Sequence, residues 1–493
     1  MEHLTRLTES IQIPQRIDRE KLTPIVSIAA ATAVLFASYK LISSSKRKKK
    51  MREQGFKDIP MPGSCYPYVG HMFSLGELPG RTVSEWHRQL GPLIKIRMGR
   101  QLWHICDDPY LAHKIFVTHG ANTSFRPYST YSYEYYSFKG KGIVFSQPNE
   151  SFKMFRSAAL SKESSDLAKR LINTTEINGH VDPLKYLELL TLNVIFSAGF
   201  GRSFNSIDDP EFRTLAHVVE TTMKLAALKN DLPKAKMKSF INNERNPTYR
   251  KLIRESFTKE GPNVIKSLEK MGYVMDEDDM VVFMSDLIAA GTDTISVTMS
   301  WNYAILCRYP DLQRRKLMPI IKTHGRIPHF NEREEIPLCI SVMKECMRYR
   351  PTSSFGVSHT TDKDIVVDGY FIPKNSTLIS NMGSMHTNAE RYEDPFEFIP
   401  ERFMDNIKTM QASANGSIEQ RDTYNFGWGR RICPGKYILE AEVEIFYAFV
   451  QMLIEPVVPG EYPNLEGGRD AGLTVLPLAY NVKFTRRPDA LVA

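Results

Sequence analysis

Hydrophobic and polar positions follow three regimes along the chain. Residues 22–39 carry no charge; as a helix at about 1.5 Å per residue they span about 27 Å, enough for a thin bilayer core. Lys40 can snorkel and so add Leu41 and Ile42, which predicts a membrane anchor over 22–42. Residues 82–120 read as helix, paired strands, helix. Apolar positions alternate through 93–98, Gly99 and Arg100 suit a turn, and Leu102-Trp103-His104-Ile105 follows. From 150 to 350 the period is helical, broken at 232–254, where a polar, basic stretch predicts a loop with short helices. Strand-like composition returns in 361–380. Leu473-Thr474-Val475-Leu476 and Val482-Lys483-Phe484 predict a terminal β-hairpin. The pattern predicts a mainly α chain with small β-sheets behind one N-terminal transmembrane helix.

Charge sharpens this picture. The net charge is +8, and Lys40, Lys46, Arg47, Lys48, Lys49, Lys50 and Arg52 account for nearly all of it, with no acid among them. The remainder is close to neutral, so no nucleic-acid footprint over a folded face is expected. The basic cluster follows the apolar run instead of preceding it, which argues against a cleaved signal peptide. Acids and bases balance in 1–21, and the positive-inside rule then puts the bulk of the chain in the cytosol. The predicted plan is a short luminal segment over 1–21, the anchor over 22–42, a basic and proline-rich linker over 43–70, and one large domain over 71–493. Within the linker, Ile59-Pro60-Met61-Pro62-Gly63, Pro67 and Gly70 predict a stiff, extended hinge. The six cysteines are irregularly spaced with no CxxC pair, which fits neither a disulfide framework nor a zinc ribbon.

One cysteine stands apart by its context, Phe426-Gly427-Trp428-Gly429-Arg430-Arg431-Ile432-Cys433-Pro434-Gly435. A haem thiolate must stay deprotonated and donate to iron. Backbone amides aimed at the sulfur tune that donation, and glycines allow the backbone close. An arginine can pair with a haem propionate. Three further segments are Glu345-Cys346-Met347-Arg348, with its two charges on one helix face, Pro400-Glu401-Arg402-Phe403, and Ala290-Gly291-Thr292-Asp293-Thr294. The last lies in a predicted helix of about thirty residues, roughly 45 Å long, favoured at its start by Asp276, Glu277, Asp278 and Asp279 and ended by Pro310. Gly291 with flanking hydroxyls predicts a loosened backbone ladder and a groove for dioxygen.

In this order the segments resemble the cytochrome P-450 family, fungal microsomal type, over essentially the whole chain after the anchor. Phe426, Gly429, Arg431, Cys433 and Gly435 fill the five fixed positions of its FxxGxRxCxG signature. The resemblance implies the cytochrome P-450 fold and a haem b with Cys433 as axial thiolate ligand. It makes Glu345, Arg348 and Arg402 a structural lock, and Thr294 and Asp293 a proton relay. Ile295 stands where the family often has a hydroxyl residue. Arg156 and His359 join Arg431 as candidates to hold the propionates, although Phe152 replaces the tryptophan expected four residues before Arg156.

The implied reaction is mono-oxygenation, with one atom of dioxygen entering a lipophilic small molecule. Electrons come from NADPH through a separate NADPH-cytochrome P-450 reductase, with cytochrome b5 as a second candidate donor. Arg156 and Lys436 are candidates to meet the reductase's acidic surface. Candidate pocket residues are Tyr133, Tyr136, Phe138, Phe283, Ala290, Ser354, Phe355, Val357 and Leu473. Steroids are the first substrate class to consider, with fatty acids, terpenoids and xenobiotics as rivals. The implied location is the endoplasmic reticulum membrane, single-pass, with the catalytic domain facing the cytosol. Two other classes remain open: a haem-thiolate isomerase or dehydratase, and a non-catalytic haem- or sterol-binding membrane protein.

Overall fold

A computed structural model describes residues 53–145, 160–226, 234–258, 263–270, 272–316, 334–408, 410–437 and 452–486. The expected luminal segment and anchor, together with Phe152 and Arg156, lie outside these residues. Contacts divide the chain into two compact units. In the smaller one, the Lys57 N–H donates to the Gly369 carbonyl at 2.8 Å. Apart from residues 370–371, all that follows concerns the larger, residues 60–367 and 372–493.

The predicted helix, strands, helix order is present. Helix α1 spans Pro79–Leu90, β1 Leu93–Met98 and β2 Gln101–Cys106, and a short helix follows at Pro109–His113. β1 and β2 are antiparallel, with Ile96 facing Trp103. β6 (Thr377–Ser380) adds to β2 in parallel, and β3 (His359–Thr360) closes the far edge. Short strands β4 (Ile365–Val367) and β5 (Tyr370–Ile372) match the expected change of period. The proline segment is laid against β1: the Pro60 carbonyl accepts from Lys95 N at 2.9 Å, and His71 N donates to Arg97 O at 2.7 Å. Gly70 is required there, because a Cβ would sit 2.1 Å from Arg97 O.

The helical body comprises α2 (Leu160–Asn178), α3 (Leu184–Phe200), α4 (Pro210–Leu225), α5 (Asn246–Thr258), α6 (Glu277–Cys307) and α7 (Pro337–Tyr349). α6 is the axis. Asp276 caps it, accepting from Asp279 N at 2.7 Å while Asp279 reaches back, and Glu277, Asp278 and Asp279 follow in the first turn. Its first half, Val281 to Ala289, packs with α3, α4, α5 and the π-helical turn Thr130–Tyr136. Its second half, Ile295 to Cys307, packs with α2, α7 and the C-terminal strands. Among the described residues α6 is the one helix long and apolar enough to cross a membrane, but it is a core helix, two-thirds buried.

Three expectations are corrected. Of the stretch expected as a loop with short helices, the described residues 234–254 form no loop: Lys234–Phe240 is helical, Ile241–Arg245 is a π-turn, and α5 continues. Met237, Phe240, Ile241, Tyr249, Leu252 and Ile253 recur at helical spacing and are buried, which outweighs the basic composition. The terminal hairpin does not form. β9 (Val475–Leu476) pairs with β8 (Arg469–Asp470), and β10 (Val482–Arg486) pairs with β7 (Met452–Pro456). The backbone of Val475 is already engaged, its N–H by Thr352 O at 2.8 Å and its carbonyl by Trp301 Nε1 at 2.7 Å. Finally, α6 is continuous α-helix through Gly291. The glycine serves close packing instead, because a Cβ would lie 2.7 Å from Ile195 Cδ1 on α3.

Candidate functional site

Gly427 and Gly429, both at positive φ, bend the cysteine loop back on itself. Gly429 has a second constraint, since a Cβ would meet Phe116 O at 2.4 Å. The Cys433 N–H donates to Phe426 O at 2.7 Å, closing the turn. A Cβ at Gly435 would stand in ordinary contact with Cys433 Sγ, at 3.4 Å. Cys433 is half-buried, whereas Cys106, Cys307, Cys339 and Cys346 are buried and Cys65 is exposed. Trp428 stacks on Tyr424 with centroids 5.5 Å apart, and the Arg421 guanidinium lies 4.0 Å over the Trp428 ring.

Behind this loop, α7 supplies its support. Glu345 is fully buried and takes both arms of Arg348, at 2.7 and 2.8 Å, and Arg402 Nε at 3.0 Å. Ile399 N donates to the same carboxylate at 2.8 Å. Arg348 also donates to the carbonyls of His386, Pro395 and Glu397. The His386 ring then accepts from Tyr424 N at 3.0 Å, which carries the lock into the cysteine loop. Burial, with Arg348 and Arg421 beside it, lowers the His386 pKa to about 3, so the ring stays neutral and can accept. One residue before Glu345, Lys344 pairs with Asp422 at 2.6 Å.

A second cluster forms where the loop meets residues 123–126 and 143–144. Arg431 donates to Ser124 O at 2.9 Å and to Ile143 O at 3.4 Å. Arg126, which the sequence reading did not single out, donates to Val144 O at 2.8 Å and to Val357 O and Ser358 O at 3.2 and 2.9 Å. The His359 ring is bonded to Thr123 O at 2.8 Å and packs edge-on to Phe116. Burial first, then Arg431, pushes the Arg126 pKa down to about 9. Burial and both arginines push that of His359 to about 3. Two guanidiniums held so close, in surroundings that disfavour positive charge, form a cradle suited to an anionic group. No spacing marks Arg126 in the sequence; only the fold brings it beside Arg431.

On α6, Ala290 is exposed and Thr294 partly so, in a helix otherwise largely buried. The Thr294 hydroxyl donates to Ala290 O at 2.6 Å. The Asp293 carboxylate points elsewhere, accepting from Thr474 Oγ1 at 2.8 Å. Burial raises its pKa to about 7, opposed by the Thr474 bond and reinforced by Glu188 and Glu220. Ile295 is buried in the core.

A cavity of about 500 Å³ adjoins the cationic cradle, since Arg126 and Val357 are in its wall. Tyr133, Ser354, Phe355 and Leu473, expected at a substrate pocket, line it. Tyr136 and Phe283 instead sit in the core cluster around the first half of α6, with Phe138 packed against it. Ala290 is not in this wall. The charges at the cavity are partly paired, Arg350 with Glu466 at 2.6 Å.

The cytochrome P450 family model matches residues 60–455. A cytochrome P450 1A1 of Opsanus tau is 25% identical over 525 aligned positions, covering 95% of this chain and 96% of the relative. A cytochrome P450 monooxygenase CYP3 of Mycosarcoma maydis is 25% identical over 529 positions, with 96% and 95% covered. A cytochrome P450 1A1 of Pleuronectes platessa is 25% identical over 491 positions, with 88% and 92% covered.

Proposed function

The chain belongs to the cytochrome P450 family, and we propose from that premise that it is a haem-thiolate mono-oxygenase in which Cys433 ligates the iron and Arg126, Arg431 and His359 hold the propionates. The observation that carries this reading is a half-buried thiol on a loop turned by Gly427 and Gly429, whose Arg431 joins Arg126, a cavity-wall residue, in a two-arginine cradle. The donor set fits a haem: a half-buried sulfur, and the buried Arg126 and half-buried Arg431 guanidiniums for two carboxylates. When bound, haem supplies the centre that activates dioxygen so that one oxygen atom can enter the substrate.

The chain's own residues supply position and protons. The lock around Glu345 holds the loop so that the sulfur keeps one place. Thr294 Oγ1, once released from Ala290 O, can present a proton on the exposed side of α6. Asp293 Oδ2, near its midpoint at neutral pH and held by Thr474, can store and pass one.

The finer expectations belong to the same proposal. The substrate is a lipophilic small molecule, with steroids the first class to test. The electron donor is a separate NADPH-dependent reductase, with cytochrome b5 as an accessory. The chain is a single-pass protein of the endoplasmic reticulum membrane. The deciding measurement is the reduced, carbon monoxide-bound difference spectrum of the full chain beside Cys433→Ala. A strongly red-shifted Soret band in the parent and its loss in the variant are expected. Its absence from folded, haem-loaded parent protein would remove the thiolate. A steroid panel with neither spectral shift nor product, alongside turnover of a fatty acid, would overturn the steroid assignment.

A further inference from the structure

Asp286 lies two turns before Thr294 on α6 and is buried, its side chain directed at the loop that carries the cavity's aromatic residues. Its Oδ1 accepts from Tyr136 OH at 2.9 Å, and its Oδ2 from the N–H groups of Ile143 and Val144 at 2.7 and 3.1 Å. Burial raises its pKa, but these three donors and Arg245 act the other way, and a set of donors suits a carboxylate.

The same two residues, Ile143 and Val144, give their carbonyls to Arg431 and Arg126. Their N–H groups thus face an anion while their carbonyls face two cations. Gly142 shows that this approach is built in. It has φ +78°, and a Cβ there would stand 2.7 Å from Asp286 Oδ2 and 2.3 Å from Val282 Cγ1. On the other side, the Arg245 guanidinium lies 4.1 Å over the Tyr136 ring and donates to Ser285 Oγ at 3.1 Å.

We propose that Asp286 is a positioning residue for the propionate cradle: through Ile143 and Val144 it sets the guanidiniums of Arg431 and Arg126, and through Tyr136 and Arg245 it ties them to the helical segment 241–258. The inference rests on the haem reading above. A carboxylate that merely anchored the loop would affect loop order alone. One that orients the cradle also affects how the propionates are held.

The test uses the haem-loaded full chain and three variants, Asp286→Asn, Gly142→Ala and Tyr136→Phe. The readouts are the carbon monoxide difference band, the propionate bending modes in resonance Raman spectra, haem transfer to apomyoglobin, and amide exchange over residues 141–146. Asp286→Asn is expected to keep the thiolate band, shift the propionate modes and speed haem loss about tenfold, the scale of one charge-assisted hydrogen bond. Gly142→Ala should act in the same direction, and Tyr136→Phe likewise but less. Faster amide exchange with unchanged propionate modes and haem loss overturns the proposal, and so do four unchanged readouts. If Asp286→Asn does not fold, Tyr136→Phe decides by the same criteria. A parent protein lacking the thiolate band would instead refute the haem reading.

Discussion

Glu345, Arg348 and Arg402 form one largely buried charge cluster, and Arg126 and Arg431, with the neutral His359 ring beside them, form another. In the first, a carboxylate sits at the centre and takes bonds from two guanidiniums and a backbone amide. Arg348 satisfies its remaining donors on carbonyls. In the second, two guanidiniums and an imidazole face one another and donate to carbonyls. Its counter-anion inside the chain, Asp286, acts across a peptide bridge. Buried charge is costly unless paired. The first cluster meets that requirement internally and serves the fold. The second is left electropositive and serves a ligand.

Substitutions at matched positions separate these two roles. Glu345→Gln should have the largest effect. It leaves two arginines facing a neutral amide, which costs roughly 3–5 kcal/mol, and the expected result is loss of folded protein, read by thermal unfolding and soluble yield with or without haem. Survival of Glu345→Gln with a parent-like melting temperature would mean that the lock does not hold the fold. Arg126→Met should show the opposite balance. It removes one of two like charges, so haem-free stability should change far less than in Glu345→Gln, while haem loss should quicken about tenfold. If the two variants unfold equally in the absence of haem, the distinction between the clusters fails.

The smallest effect concerns Asp293, and it sharpens the contrast by testing a buried acid outside both clusters. Its pKa is raised in the folded state, so the protonated form is favoured by folding. The stability it contributes is fully present below about pH 4, the ordinary carboxylate value. That contribution is lost as pH rises through about 7. Asp293→Asn, uncharged at every pH, should therefore gain melting temperature relative to the parent at pH 8 and gain little at pH 5. An equal difference at both values would mean that this carboxyl does not titrate in that range.

Much was legible from spacing and, for the cysteine loop and the Glu345–Arg348 pair, from the family resemblance. The long helix and its acidic cap, the β1–β2 pair, the cysteine loop and the Glu345–Arg348 pair are local patterns. Their partners lie within a few residues, or their glycines are required by the turn itself. The failures share one cause. At 234–258 the basic surface concealed a helical stripe of buried residues, and at 473–484 two adjacent strands found partners elsewhere. Arg126 and Asp286 were missed because neither has a neighbour in sequence that marks it.

What the sequence by itself determined is the set of short-range constraints: helical period, capping, positive-φ glycines and the thiol with its flanking loop. The tertiary structure alone decided which distant charges meet. Arg126 reaches Ser358 across more than two hundred residues, and Asp286 reaches Val144 across more than a hundred. Backbone preferences act over a few bonds, whereas the energy of a buried charge depends on everything packed around it. The site's electrostatics therefore exist only once the core has closed.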